Sequence, residues 1–180
     1  FSFILPKILH PLLLAIPNHK LKTPIPKQLN VKLIPSKKKK RIALLAGCAQ
    51  QVLKPEINEA SIRLLNRHGC EVVIPNRAVC CGALVHHLGN EDEAKKAAMT
   101  NITAWENASA SEGLDAIVVN TSGCGTTLKN YGHLFRDEPV WAERAAKISA
   151  ITCDITEIIS EIGLTQIKRF SKPNIVYHSA

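Results

Sequence analysis

The rhythm of hydrophobic and polar positions changes at residue 41. Residues 1–17 (FSFILPKILHPLLLAIP) are apolar but broken by Pro6, Pro11 and Pro17, which divide them into short helical pieces. Residues 18–40 carry three further prolines and end in Lys37-Lys38-Lys39-Lys40, the texture of an exposed linker. From Arg41 onward short apolar runs alternate with helical stripes. Ile42-Ala43-Leu44-Leu45-Ala46 is continuously apolar, as a strand buried on both faces must be. A helix follows over 55–68, with Ile57, Ala60, Leu64, Leu65 and His68 on one stripe, Pro55 in its first turn and Gly69 at its stop. A second strand is expected at 70–74 and a long helix over 90–110. That helix has Glu91, Asp92 and Glu93 in its first turn and Ala94, Ala97, Ala98, Ile102, Trp105 and Ala108 facing inward. Residues 115–120 read as a third strand. Ser122-Gly123-Cys124-Gly125 turns from it into a short helix near 125–131, and two more helices fit 138–150 and 154–162. Asn174-Ile175-Val176-Tyr177 reads as a fourth strand.

Strands alternating with helices specify an α/β fold: a Rossmann-like, largely parallel sheet flanked by helices, preceded by a helical connector. The expected division is a basic, proline-interrupted connector over 1–40, a cysteine-rich domain over 41–172, and the first strand of a further repeat over 173–180. The chain starts at Phe1 and stops shortly after an apolar run, so the expectation is a piece of a longer protein.

Composition refines this picture in one respect. The net charge of +8 is concentrated at the front, where residues 1–40 hold nine lysines and no acid, while the remainder is close to neutral. A segregated basic leader implies contact with a partner or a membrane face. Without interleaved aromatics it gives no reason to expect nucleic acid. No run reaches about 18 apolar residues, so no transmembrane helix is expected. The six cysteines lie in a chain with long helical and strand patterns and no cleavable leader, which speaks for reduced thiols in a cytoplasmic setting rather than a disulfide framework.

Four of those cysteines carry the candidate chemistry. Cys48 directly follows the first strand, Cys80-Cys81 lie in the loop after the second, and Cys124 follows the third. In a parallel sheet, sites gather at the carboxyl ends of the strands. The topology therefore predicts that all four thiols converge on one edge. Adjacent cysteines are poor disulfide partners for one another. They suit a metal, because two neighbouring thiolates can occupy two corners of one cluster, and the glycines beside each group let the backbone turn tightly. Four thiolates fit an iron–sulfur cluster or zinc. The other reading of these cysteines is as small buried hydrophobes, and that is the one adopted for Cys70 and Cys153. A thiol switch is a third reading, and it requires a depressed pKa and exposure. His86 and His87 follow the cysteine pair and offer a nitrogen ligand or a hydrogen bond to sulfur, against a plain surface or interior role. No Ser-His-Asp set, phosphate loop or paired-carboxylate site is present, so organic bond chemistry is not expected of this chain.

The runs Gly47-Cys48-Ala49-Gln50, Cys80-Cys81-Gly82-Ala83 and Thr121-Ser122-Gly123-Cys124-Gly125, with Leu128-Lys129-Asn130-Tyr131-Gly132, resemble iron–sulfur subunits of the glycolate oxidase type. These belong to the cysteine-rich "CCG" domain proteins, which include heterodisulfide reductase subunits. The resemblance implies an electron-transfer subunit of a glycolate dehydrogenase complex that is not catalytically competent alone; the alternatives are the same role in a lactate or glycerol-3-phosphate dehydrogenase complex, or a docking module whose cysteines are structural, binding zinc or nothing. It implies [4Fe–4S] clusters, mainly in a ferredoxin-like module ahead of this chain, with Cys48, Cys80, Cys81 and Cys124 holding or lining a centre here. It also implies flavin-containing partner subunits bearing FAD, a quinone or membrane acceptor, and a place on the inner face of the cell membrane. The chain departs from the fuller pattern at Thr121, where heterodisulfide reductase-type repeats have a cysteine, so one ligand of the richer set is missing.

Overall fold

The computed structural model describes residues 40–164. The expected connector over 1–39 and the expected strand at 174–177, with the further repeat it would open, lie outside the described residues.

Strand β1 (Lys40–Leu44) pairs in parallel with β2 (Cys70–Val73) on one side and β3 (Ala116–Val119) on the other. Strand β4 (Thr152–Asp154) adds beyond β3, giving the order β2-β1-β3-β4, parallel throughout. This is the expected α/β fold. Lys40, expected to close the linker, instead opens β1: it stands in register with Cys70, and its Nζ bonds Glu161 Oε1 at 2.7 Å. The described fourth strand contains Cys153, which the sequence placed simply before a helix. Three residues are too few to leave a periodic signal, yet Cys153 stands in register with Val118.

Alternation along the strands divides the core. Ile42 and Leu44 of β1, with Ala116 and Val118 of β3, face helices α2 (Glu56–Arg67) and α8 (Ile155–Ile162). Ala43, Leu45, Ile117 and Val119 face the opposite layer, made of α4 (Glu91–Ser109), α5 (Ser122–Lys129), α6 (Tyr131–Leu134) and α7 (Pro139–Ala150). Trp105, Tyr131 and Phe135 are its largest fully buried side chains. Two further one-turn helices, α1 (Cys48–Leu53) and α3 (Ala83–His87), follow β1 and the cysteine pair. Neither is legible in the sequence, being too short to show a stripe.

The face of α2 differs from expectation. Leu65 and His68 are buried as expected, but Ile57 and Ala60 are exposed, and the buried positions are Asn58, Ser61, Ile62 and Leu65. Polar partners rotate this helix: Asn58 and Ser61 bond groups at the carboxyl edge of the sheet. The helix after β3 also starts earlier than expected, at Ser122, with Thr121 as its extended N-cap. Cys124 therefore sits inside the first turn of α5 rather than ahead of it.

Candidate metal centre

The strand order places a switch point between β1 and β3, where the chain leaves the sheet in opposite directions and opens a crevice at the carboxyl ends. Cys48 leaves β1 there as the first residue of α1, and Cys124 leaves β3 in the first turn of α5. The loop from β2 brings Cys80 and Cys81 to the same place. Cys48 Sγ lies 3.2 Å from Cys80 Sγ, and Cys81 Sγ lies 3.2 Å from Cys124 Sγ. All six cysteines are free, so these are thiol contacts and not bonds. The two pairs are joined through the Cys80–Cys81 peptide and form one patch of four sulfurs. Cys70, fully buried, and Cys153, half-buried, belong to the α2/α8 side of the core and take no part.

Hydrogen bonding polarises each pair. Cys81 donates to Cys124. That bond, with burial, raises the Cys81 thiol well above the ordinary thiol range, and the same bond lowers Cys124. Burial raises Cys48, which also donates to Cys80. The exposure of Cys48 contrasts with the burial of Cys81, so the patch runs from the surface inward.

Two polar networks hold these loops. In the first, Asn58 donates to Ala46 O at 2.6 Å, just before Cys48. Asn120, at the end of β3, donates to Asn58 Oδ1 and Ser61 Oγ, both at 2.9 Å. Gln50 of α1 donates to Asn58 and Asn120 and accepts from the Thr121 hydroxyl. The Thr121 hydroxyl thus ties the two cysteine-bearing loops together. In the second network, Asn101 of α4 and Tyr131 of α6 bond the backbone of residues 79–81. Sequence reasoning missed Asn58, Ser61, Asn101 and Asn120, because a buried amide or hydroxyl interrupts a hydrophobic stripe and its partners lie far along the chain.

Gly82 follows the cysteine pair at φ +87°, a conformation other residues rarely adopt. A Cβ there would stand 3.2 Å from Ala94 O and 3.3 Å from Ala94 Cα. A cavity of about 250 Å³ lined by Gly47, Cys48, Gln51 and Cys80 opens on one side of the patch. Another of about 560 Å³, lined by Cys81, Gly123, His86, His87 and His133, opens on the other. The two sequence-flagged histidines therefore sit beside the thiols, with their rings 6.0 Å apart, but neither shares a hydrogen bond with a cysteine sulfur among the described residues.

Four soft thiols at one strand edge suit a thiolate-bound cluster in number and chemistry. Among the described residues, no group of three or more His, Cys, Asp or Glu side chains is arranged to hold a metal ion. The two observations are compatible, because a single ion needs every ligand about 2.3 Å from one point. An iron–sulfur cluster instead spreads its thiolates over several irons. Thiols 3.2 Å apart stand closer together than ligands on separate irons, so loading such a cluster requires each pair to open. Loading any metal requires the protons of Cys48 and Cys81 to leave, which removes the S–H···S bonds that hold each pair.

The cysteine-rich domain family designated CCG matches residues 42–129. The chain is 34% identical over 144 residues to a glycolate oxidase iron–sulfur subunit of Escherichia coli, an alignment covering 80% of this chain and 35% of the relative. It is 37% identical over 129 residues to a probable glycolate oxidase iron–sulfur subunit of Bacillus subtilis, covering 72% and 28%. A lactate utilization protein A of an Exiguobacterium species is 32% identical over 140 residues, covering 77% and 56%. The chain thus spans about a third of the length of the glycolate oxidase subunits it matches. No solved structure matches it.

Proposed function

The chain belongs to the CCG cysteine-rich domain family through residues 42–129, and from that premise we propose that it is part of the iron–sulfur subunit of a 2-hydroxy acid dehydrogenase complex. In this reading Cys48, Cys80, Cys81 and Cys124 hold a [4Fe–4S] cluster, which when bound supplies one-electron transfer. A separate flavin subunit, bearing FAD, oxidises glycolate to glyoxylate, and electrons pass through the iron–sulfur subunit towards a quinone. Residues 40–172 are the first cysteine-rich repeat, residues 1–39 the connector from a ferredoxin-like module, and residues 173–180 the start of a second repeat. The complex sits on the inner face of the cell membrane. No helix among the described residues is long and apolar enough to cross a membrane.

The observation that carries this reading is the meeting of four thiols, drawn from three separate loops, at the switch point of the sheet. This chain's own contribution is placement. Gln50, Asn58 and Asn120 tie the Cys48 and Cys124 loops together, burial of Cys81 limits water at the inner pair, and the glycine at 82 lets the backbone pass close. Glycolate is favoured over lactate by the match to two glycolate oxidase subunits at 34% and 37% identity, against 32% for the lactate utilization protein. Turnover of the intact complex with each acid separates the two. For the cluster itself, the chain is purified without oxygen and reconstituted with iron and sulfide. The expected result is retained iron and a reducible paramagnetic signal, both lost in Cys80→Ser. Absence of both in the parent chain ends the proposal.

A second reading, favoured by thiols that already satisfy one another in hydrogen-bonded pairs, is a docking module whose cysteines are structural, binding zinc or nothing, and which joins the flavin subunit to the ferredoxin-like module. It predicts unimpaired electron flow in Cys80→Ser.

A further inference from the structure

Cys80 and Cys81 are adjacent in the chain and their thiols interact, yet each also meets a different partner from another loop, Cys48 and Cys124, at 3.2 Å. The arrangement depends on the orientation of the one peptide between them. Yet the loop carrying it, from Ile74 to Cys81, has no strand or helix to fix it.

We infer that Asn101 and Tyr131 are positioning residues for this dipeptide, and that their hold on its backbone assigns each thiol its partner. Asn101 is fully buried in the middle of the inner face of α4, between Ala98 and Trp105. An amide there is costly unless its hydrogen bonds are made. They are made to the cysteine loop: its Oδ1 accepts from Val79 N at 2.7 Å, and its Nδ2 donates to Cys80 O at 3.0 Å. The Cys80 carbonyl belongs to the peptide that joins the two cysteines. Tyr131, 1% exposed at the start of α6, donates from Oη to Cys81 O at 2.8 Å and accepts from Asn101 Nδ2 at 3.3 Å. Three backbone groups in succession are thus held by two side chains that also hold each other. Gly82 then turns the chain away against Ala94, one face of the same helix. The clamp is built into the core of the domain, so the loop's conformation is set without any contact to the thiols themselves.

The consequence for metal retention rests on the cluster reading above; the consequence for thiol pairing does not, and the test uses both. Tyr131→Phe removes one hydroxyl and leaves the ring in the core. Ser149→Ala is the control, because it removes two comparable bonds elsewhere: Ser149 Oγ donates to Leu128 O and accepts from Gly132 N. The full chain is reconstituted anaerobically with iron and sulfide, and loss of iron to a chelator is followed. Tyr131→Phe is expected to weaken iron retention by about 10–100-fold, as removal of an outer hydrogen bond does at metal sites, with Ser149→Ala like the parent. In parallel the metal-free chain is treated with diamide. Each thiol pair gives up two electrons and two protons to the diazene, which becomes a hydrazine, and the disulfides are mapped. The parent is expected to give Cys48–Cys80 and Cys81–Cys124, whereas Tyr131→Phe gives mixed products that include Cys48–Cys81. If the parent retains no iron, the cluster reading fails and the disulfide map alone decides the clamp. Parent-like pairing in Tyr131→Phe overturns the clamp, as does equal scrambling or equal iron loss in Ser149→Ala.

Discussion

At the scale of single residues, this domain places its constraints around the cysteine pair rather than on it. Gly82 shows the steric side. Its φ of +87° and the Ala94 backbone within 3.3 Å leave no room for a side chain, so Gly82→Ala should destabilise the fold by about 1–3 kcal/mol, read from the denaturant midpoint. Cys153 shows the electrostatic side. Burial pushes its thiol up to about 11 from an ordinary value of 9.0. The folded state therefore binds the proton more tightly than the unfolded chain. The resulting stability is complete below pH about 9 and is lost as pH climbs towards about 11. Stability curves measured across that window should slope downwards in the parent and less steeply in Cys153→Ala. The four clustered cysteines were legible from sequence because glycine, adjacency and strand ends mark them. Asn101 was not legible, since nothing local distinguishes a buried asparagine with partners 21 and 30 residues away from an exposed one.

At the scale of elements, legibility followed length and periodicity. The long helix α4 was readable to within a residue or so, from its acidic first turn and repeated apolar face. Helix α2 was placed correctly but turned wrongly, because its buried side is partly amide and hydroxyl. β4 and the one-turn helices were beyond reach, being set by contacts to the rest of the sheet rather than by their own few residues. Helix α8 is an informative case. Asp154 caps it by accepting from Thr156 N at 2.8 Å, and Glu157 closes the capping box by accepting from Asp154 N at 2.6 Å. Glu157 also accepts from Lys129 at the end of α5, at 2.7 Å. Asp154→Ala should therefore cost about 1 kcal/mol. Hydrogen exchange is expected to show α8 fraying first while α4 keeps its protection. Uniform loss of protection across both helices would mean that α8 folds only as part of the whole.

At the scale of the molecule, the parallel order β2-β1-β3-β4 explains why cysteines 32 and 43 residues apart meet. Each strand delivers its following loop to the same edge, and the switch between β1 and β3 opens the space into which they turn. The alternation of strands and helices was enough to predict that gathering. The division into two pairs was not predictable, because it depends on how one peptide is held. The proposed electron-transfer role rests on those four thiols acting as one unit, and alkylation mapping tests this most directly. The reduced chain is treated with a thiol reagent before and after anaerobic loading with iron and sulfide, then digested and analysed by mass spectrometry. The account predicts that Cys48, Cys80, Cys81 and Cys124 become protected together on loading, while labelling of Cys70 and Cys153 is unchanged. Continued labelling of any one of the four in the iron-loaded protein, at the rate seen without iron, would contradict it.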